Sequence, residues 1–187
     1  MEILVEIMID NDTWAKLGRF STRDELEEYG KRNPECVNLL DEQGLWHHIR
    51  ENLVLSTHND DGVISSALFG VHGGLHPILV VWDHASKVVC GVDESVIAVS
   101  WAGRDVIYHA TTGGFVQFLM PAGRDSLVAW VESALTCFND KIQEAWYWLC
   151  SDQVIDDVRI RDDVVEIVEC GVPDVVRLNL HDGSEIK

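Results

Sequence analysis

Between Leu53 and Met120 the apolar residues come in short runs, and this rhythm constrains the fold more than any other feature of the chain. The runs at 53–55, 63–71, 78–82, 88–92, 96–101, 106–109 and 115–120 are rich in β-branched residues and are closed by Gly, Asp, Asn or Pro. Runs of that length between turn formers are strands, and their spacing is that of an antiparallel sheet. The clearest hairpin spans Val96 to Ala110 around Ala102-Gly103-Arg104-Asp105.

The flanking segments read differently. Residues 3–9 form an opening strand closed by Asp10-Asn11-Asp12, followed by a short helix or turn at 13–18. Ser21 with Asp24, and Thr22 with Glu25, place a hydroxyl three residues before a carboxylate, the capping-box signature of a helix start. That helix ends at Gly30 and Asn33-Pro34. A second helix is expected over 34–50, with Val37, Leu40, Trp46 and Ile49 on one side. After the turn Pro121 to Asp125, the positions Leu127, Val131, Ala134, Leu135, Phe138, Ile142, Trp146 and Leu149 follow helical spacing and predict a long amphipathic helix. Alternation around Val158 and Ile160, then 164–168, then Val176, Leu178 and Leu180, predicts further strands. The expected fold is α+β: a curved antiparallel sheet packed by a long amphipathic helix, with N-terminal helices, in a single domain over 1–187 and without internal repeats.

The formal net charge is −18, with acids concentrated in the first and last thirds and the middle nearly uncharged. A field of that sign repels phosphate and anionic lipid and attracts basic protein surface. An acidic N-terminus without a basic segment before its apolar residues is not a secretory signal, and no apolar run reaches membrane-spanning length, so a cytoplasmic location is expected. The cysteines, Cys36, Cys90, Cys137, Cys150 and Cys170, contain no C-x-x-C pair and read as reduced thiols.

Catalytic signatures are thin. His72, His76 and His84 lie within a dozen or so residues, with Gly73-Gly74 and Pro77 breaking any helix that would align the first two. They support one alternative, a small metal-dependent hydrolase, but no cofactor or metal is assigned. Pro173-Asp174 with Glu185 and Lys187 matches the loose P-D-x-E-x-K arrangement of restriction-endonuclease-like enzymes, against a net charge that opposes DNA. Ser100 lacks the first glycine of a nucleophile elbow. Trp146, Tyr147 and Trp148 offer an aromatic binding patch if one of the latter two faces outward.

The stretch from Val106-Ile107-Tyr108-His109 to Phe118-Leu119-Met120-Pro121, the helix predicted over 126–138, and Trp146 or Trp148 resemble the strand, proline, helix and tryptophan order of some bacterial toxin immunity families. The resemblance implies a stoichiometric, non-catalytic inhibitor that binds a basic, nuclease-like toxin through acidic residues. The excess of carboxylates near the C-terminus makes Asp156, Asp157, Asp162, Asp163 and Glu166 the first candidate partner-binding residues, with the helix acids Glu27 and Glu28 second. Another alternative with the same electrostatics is a phage or mobile-element DNA mimic.

Overall fold

The computed structural model describes residues 1–39, 49–72, 76–103, 107–150 and 154–186, and in these the chain is almost entirely β. Sheet I joins β1 (Glu2–Met8), β2 (Thr13–Phe20), β3 (Val37–Asn38), β4 (Glu51–Asn59) and β5 (Gly62–Val71) in the order β1-β2-β4-β5-β3, with only β3 parallel to its neighbour. Between β2 and β3 lies α1 (Arg23–Arg32). Sheet II is the meander β6 (Ile78–Trp82), β7 (Lys87–Val92), β8 (Ser95–Ser100) and β9 (Ile107–Thr111). Sheet III repeats it with β10 (Val116–Ala122), β11 (Ser126–Val131), β12 (Ala134–Phe138) and β13 (Glu144–Leu149). Sheet IV closes the series with β14 (Ile155–Arg161), β15 (Val164–Glu169) and β16 (Val175–Asn179).

The sheets stack face to face, because each inner sheet is apolar on both sides. Leu17, Leu53, Leu55 and Phe69 of sheet I meet Val88, Cys90, Ile97 and Val99 of sheet II. The other face of sheet II, with Trp82, Val89, Val96 and Ala98, meets Val116, Leu127, Ala129 and Phe138 of sheet III. Sheet III then turns Val128, Leu135, Cys137 and Trp146 toward Ile155, Val158, Val165, Ile167 and Leu178 of sheet IV. The outer face of sheet I is covered by α1 through Leu26 and Tyr29 over Phe20, Val54 and Leu68. Among the described residues, no hydrophobic cluster joins sheet IV to sheet I. Radial stacking of short antiparallel meanders is the β-propeller solution to the exposed-edge problem.

This architecture overturns the expected α+β fold. The long helix predicted from 126 onward is three strands, β11, β12 and β13. In that segment Leu127, Ala129 and Val131 face sheet II while Val128 and Trp130 face sheet IV, so nearly every position is apolar and helical spacing is satisfied by coincidence. Strands buried on both faces lose the alternation that identifies them. Residues 13–18 belong to β2, not to a helix or turn. The helix expected from Pro34 fails in its described part, where Val37 and Asn38 pair with Ala67 and Leu68; Leu40 and Trp46 lie outside the described residues. The strand runs between 53 and 120 are all strands, but they are shared among three sheets and do not form one.

Local readings fare better. Thr22 caps α1, its hydroxyl accepting from the Glu25 N–H at 3.2 Å, and the Glu25 carboxylate accepts from the Ser21 N–H at 3.0 Å. In the β8–β9 hairpin Val96 sits opposite Ala110; the turn residues Arg104 and Asp105 lie outside the described residues.

Candidate functional site

An up-and-down meander returns alternate turns to the same end of its sheet, and here that end is marked by aspartate. The β1–β2 turn carries Asp10 and Asp12, and the β4–β5 turn beside it Asp60 and Asp61, the two brought together by the pairing of Thr13 with Asn59. In sheet II the β6–β7 turn presents Asp83. Sheet III presents Asp125 between β10 and β11 and Asp140 between β12 and β13, and sheet IV presents Asp162 and Asp163 between β14 and β15, with Asp182 after β16. All of these side chains are exposed, against Arg124, Lys141, His84 and His181 as the described exposed basic side chains of the same turns.

Hydrogen bonds between neighbouring sheets hold these turns at one level. Thr57 Oγ1 and Ser65 Oγ, below the β4–β5 turn, both donate to the Ser100 carbonyl at the end of β8, at 2.9 and 2.6 Å. The Trp82 indole N–H donates to the Gly123 carbonyl at 3.1 Å, tying the end of β6 to the β10–β11 turn. The Trp146 indole N–H reaches the Leu180 carbonyl at 2.6 Å, and the Leu180 N–H reaches the Asp163 carbonyl at 2.8 Å. The result is a rim of carboxylates on a rigid support. Within it Asp182 accepts from both the Ser184 hydroxyl and N–H, which hold its pKa below the usual carboxylate value.

The acids picked from the sequence do not form one surface. Asp162 and Asp163 lie on the rim, with Asp163 3.4 Å from His181. Asp157 and Glu166 lie on sheet IV itself and are engaged by arginine: Asp157 by Arg159 at 2.7 Å, Glu166 by Arg177 at 3.1 Å and by Arg161 at 4.0 Å. That face is a ladder of mixed charge, set by the cross-strand row Arg159, Glu166, Arg177. Asp156 is exposed beside a β-bulge. Glu27 and Glu28 sit on α1, at the far side of the stack from sheet IV, in i,i+4 ion pairs with Arg23 and Arg32. Asp10, Asp12, Asp60, Asp61, Asp83, Asp125, Asp140 and Asp182 were missed, although all but Asp182, which follows β16, stand in turns between two strands.

The histidines separate. His72 and His76 lie beyond the C-terminal end of β5 and before β6, whereas His84 lies past the other end of β6, a strand of five residues and roughly 17 Å. The three cannot share an ion. Among the described residues no group of three His, Cys, Asp or Glu side chains is placed to hold a metal. His72 is anchored by its backbone, whose N–H donates to Asp93 Oδ2 at 2.5 Å. Asp174 and Glu185 of the nuclease-like pattern are exposed, and Lys187, Gly73-Gly74, Asp152 and His47-His48 lie outside the described residues. Of the aromatic trio, Trp146 is buried, Trp148 half-buried and Tyr147 exposed on the edge strand β13. No described helix is long and apolar enough to cross a membrane.

No family model matches the chain, and no curated protein matches it. Solved structures do. The structure of HIRA residues 644–1017 superimposes with a TM-score of 0.54 at 8% identity, covering 97% of this chain and 54% of that one. Citrobacter koseri AztD superimposes with a TM-score of 0.52 at 10% identity, covering 95% of this chain and 44% of that one. The chain thus spans about half the length of the structures it matches. At such identities the likeness concerns the stacked-sheet fold alone, and neither neighbour is described as an immunity protein.

Proposed function

We propose that this chain is a non-catalytic binding module that engages a cationic protein through the aspartate rim. The observation that supports the reading is the rim itself: every sheet sends exposed aspartate to the same end of the stack, although those residues are scattered from Asp10 to Asp182 in sequence. Like charges held together repel one another and lower stability, a cost that a basic partner relieves on binding. Charge of this density also accelerates encounter, while a few desolvated contacts set the lifetime of the complex.

A basic toxin is one partner of this class, and the reading does not depend on it. The separation of His84 from His72 and His76 gives the hydrolase alternative no support.

In-cell crosslinking in the source organism, followed by purification of the partner and direct titration, tests the proposal. The expected partner is a protein of basic pI that binds the wild-type chain and loses at least tenfold in affinity when Asp60, Asp61, Asp162 and Asp163 are changed to Asn. A partner of acidic pI, or one indifferent to those four substitutions, contradicts it.

A further inference from the structure

The rim accounts for attraction, but a lasting complex also needs desolvated apolar or main-chain contacts. Among the described residues the largest run of exposed apolar side chains lies on β1: Ile3 is 46% exposed, Leu4 38%, Val5 38% and Met8 61%. In sheet I, β1 is a terminal strand, paired on one side with β2 and, among the described residues, with no strand beyond it. Its outer edge therefore presents backbone N–H and C=O groups beside exposed apolar side chains. Seven residues long, it contains neither lysine nor proline, two of the usual means of blocking an edge. The only ionisable side chains on it are Glu2 and Glu6. A bulge between Ile3 and Val5 sets these on opposite faces, Glu2 beside Arg19 at 2.5 Å and Glu6 beside Lys16 at 3.6 Å. The strand leads directly into Asp10 and Asp12 of the rim.

We infer that β1 accepts an extended segment of the cationic partner, apolar with basic residues three positions apart, as an additional strand of sheet I. The inference rests on the cationic-partner reading and assigns it a docking edge. Strand addition supplies main-chain hydrogen bonds for affinity, while side chains on either face supply specificity. Charge decides between the candidate occupants. A second copy would bring a further net charge of −18, and its β1 would offer no basic side chain to Glu2 or Glu6. A strand with a lysine or arginine toward each face meets Glu2 on one side and Glu6 on the other.

Hydrogen exchange on the full chain tests this, with the capped peptide Val-Lys-Val-Val-Lys-Val-Val, whose lysines point to opposite faces of a strand, as probe and its counterpart with Glu in place of Lys as control. The expected result is at least a tenfold slowing of β1 amide exchange by the Lys peptide and none by the Glu peptide. Leu4→Lys, at an exposed position, should abolish the slowing while leaving exchange elsewhere unchanged, and Glu6→Lys should weaken it. Protection confined to the Asp60 and Asp162 turns, with β1 unaffected, overturns the inference and leaves the cationic-partner reading standing. A dimer with β1 protected in the absence of peptide makes a second copy the occupant and overturns it as well. If neither the peptide nor a purified basic partner protects any residue, both fall.

Discussion

The indole N–H of Trp146, on β13, donates to the carbonyl of Leu180, just beyond β16, at 2.6 Å, fastening sheet IV to sheet III directly beneath the rim. Trp146 is buried against Cys137, Val165 and Leu178 in the same cluster, and Gly183 closes over its ring with φ +69°. Trp146→Phe keeps most of the packing but removes the hydrogen bond, and should cost about 1–3 kcal/mol; Trp146→Ala should cost about 3–5 kcal/mol. Gly183→Ala would set a Cβ 2.9 Å from the indole in a left-handed backbone, and should also destabilise. Urea unfolding curves of the three variants check these values.

Asp162 separates stability from binding. It is the first residue of the β14–β15 turn, exposed on the rim, with φ 51°. Asp162→Gly relieves that conformation and one rim charge together, against some loss of unfolded-state restriction. The variant should gain up to about 1 kcal/mol in thermal unfolding experiments while binding the basic partner more weakly. A gain in affinity would place the contact elsewhere.

Lys87 supplies a pH dependence. Its side chain is 6% exposed, its Nζ donates to the Ala85 carbonyl at 3.2 Å, and it lies 5.1 Å from the Tyr108 ring and 5.9 Å from the Trp82 ring. Burial lowers its pKa from 10.5, partly opposed by Asp140. Between the lowered folded value and the unfolded value the unfolded chain binds more protons, so this group's contribution to stability rises with pH through that window and is flat below it. The stability of the wild type relative to Lys87→Met should therefore rise as pH approaches 10.5. The comparison is necessary because Cys90 and Cys137, raised to about 12 and about 11, act in the opposite direction: each stays a thiol in the fold, and its contribution is lost as pH climbs above 9. Denaturant titrations of both proteins across the alkaline range give the difference.

Thiol labelling reports on the stack. Cys170 is exposed and Cys36 partly so, whereas Cys90, Cys137 and Cys150 lie between sheets. With an aromatic disulfide reagent at pH 8, Cys170 should react first and Cys36 next, leaving the other three protected until unfolding. Early modification of Cys90 would contradict the packing of sheet I on sheet II, and early modification of Cys137 that of sheet III on sheet IV.

The sequence showed local structure wherever one face of an element meets solvent. Arg159 and Arg161 alternate with Val158 and Ile160 because the outer face of sheet IV is open, and β14 to β16 were legible for that reason. The Thr22 cap was legible because it depends on spacing alone. Leu127 to Leu149 misled because sheet III is covered on both faces, and only the β-branched and aromatic residues, with Glu132-Ser133 and Asn139-Asp140 between them, distinguished strands from a helix. The repetition of sheets left no sequence signature, since the rim turns of sheets II, III and IV, at 83–86, 123–125, 139–143 and 162–163, share neither length nor sequence. The rim was hidden by the same fact. Its aspartates become neighbours only once alternate turns are known to share one end.

The most direct test of the central claim is the affinity of the full chain for its purified basic partner, measured by calorimetry at about 50 and about 500 mM NaCl, for the wild type and for the variant with Asp60, Asp61, Asp162 and Asp163 all changed to Asn. Screening shortens the reach of exposed charges from roughly 14 Å to roughly 4 Å over that range. The account predicts at least a tenfold loss of affinity with salt for the wild type, and a variant that is weaker at low salt and less sensitive to salt. Equal affinities for the two proteins, unchanged by salt, would contradict it.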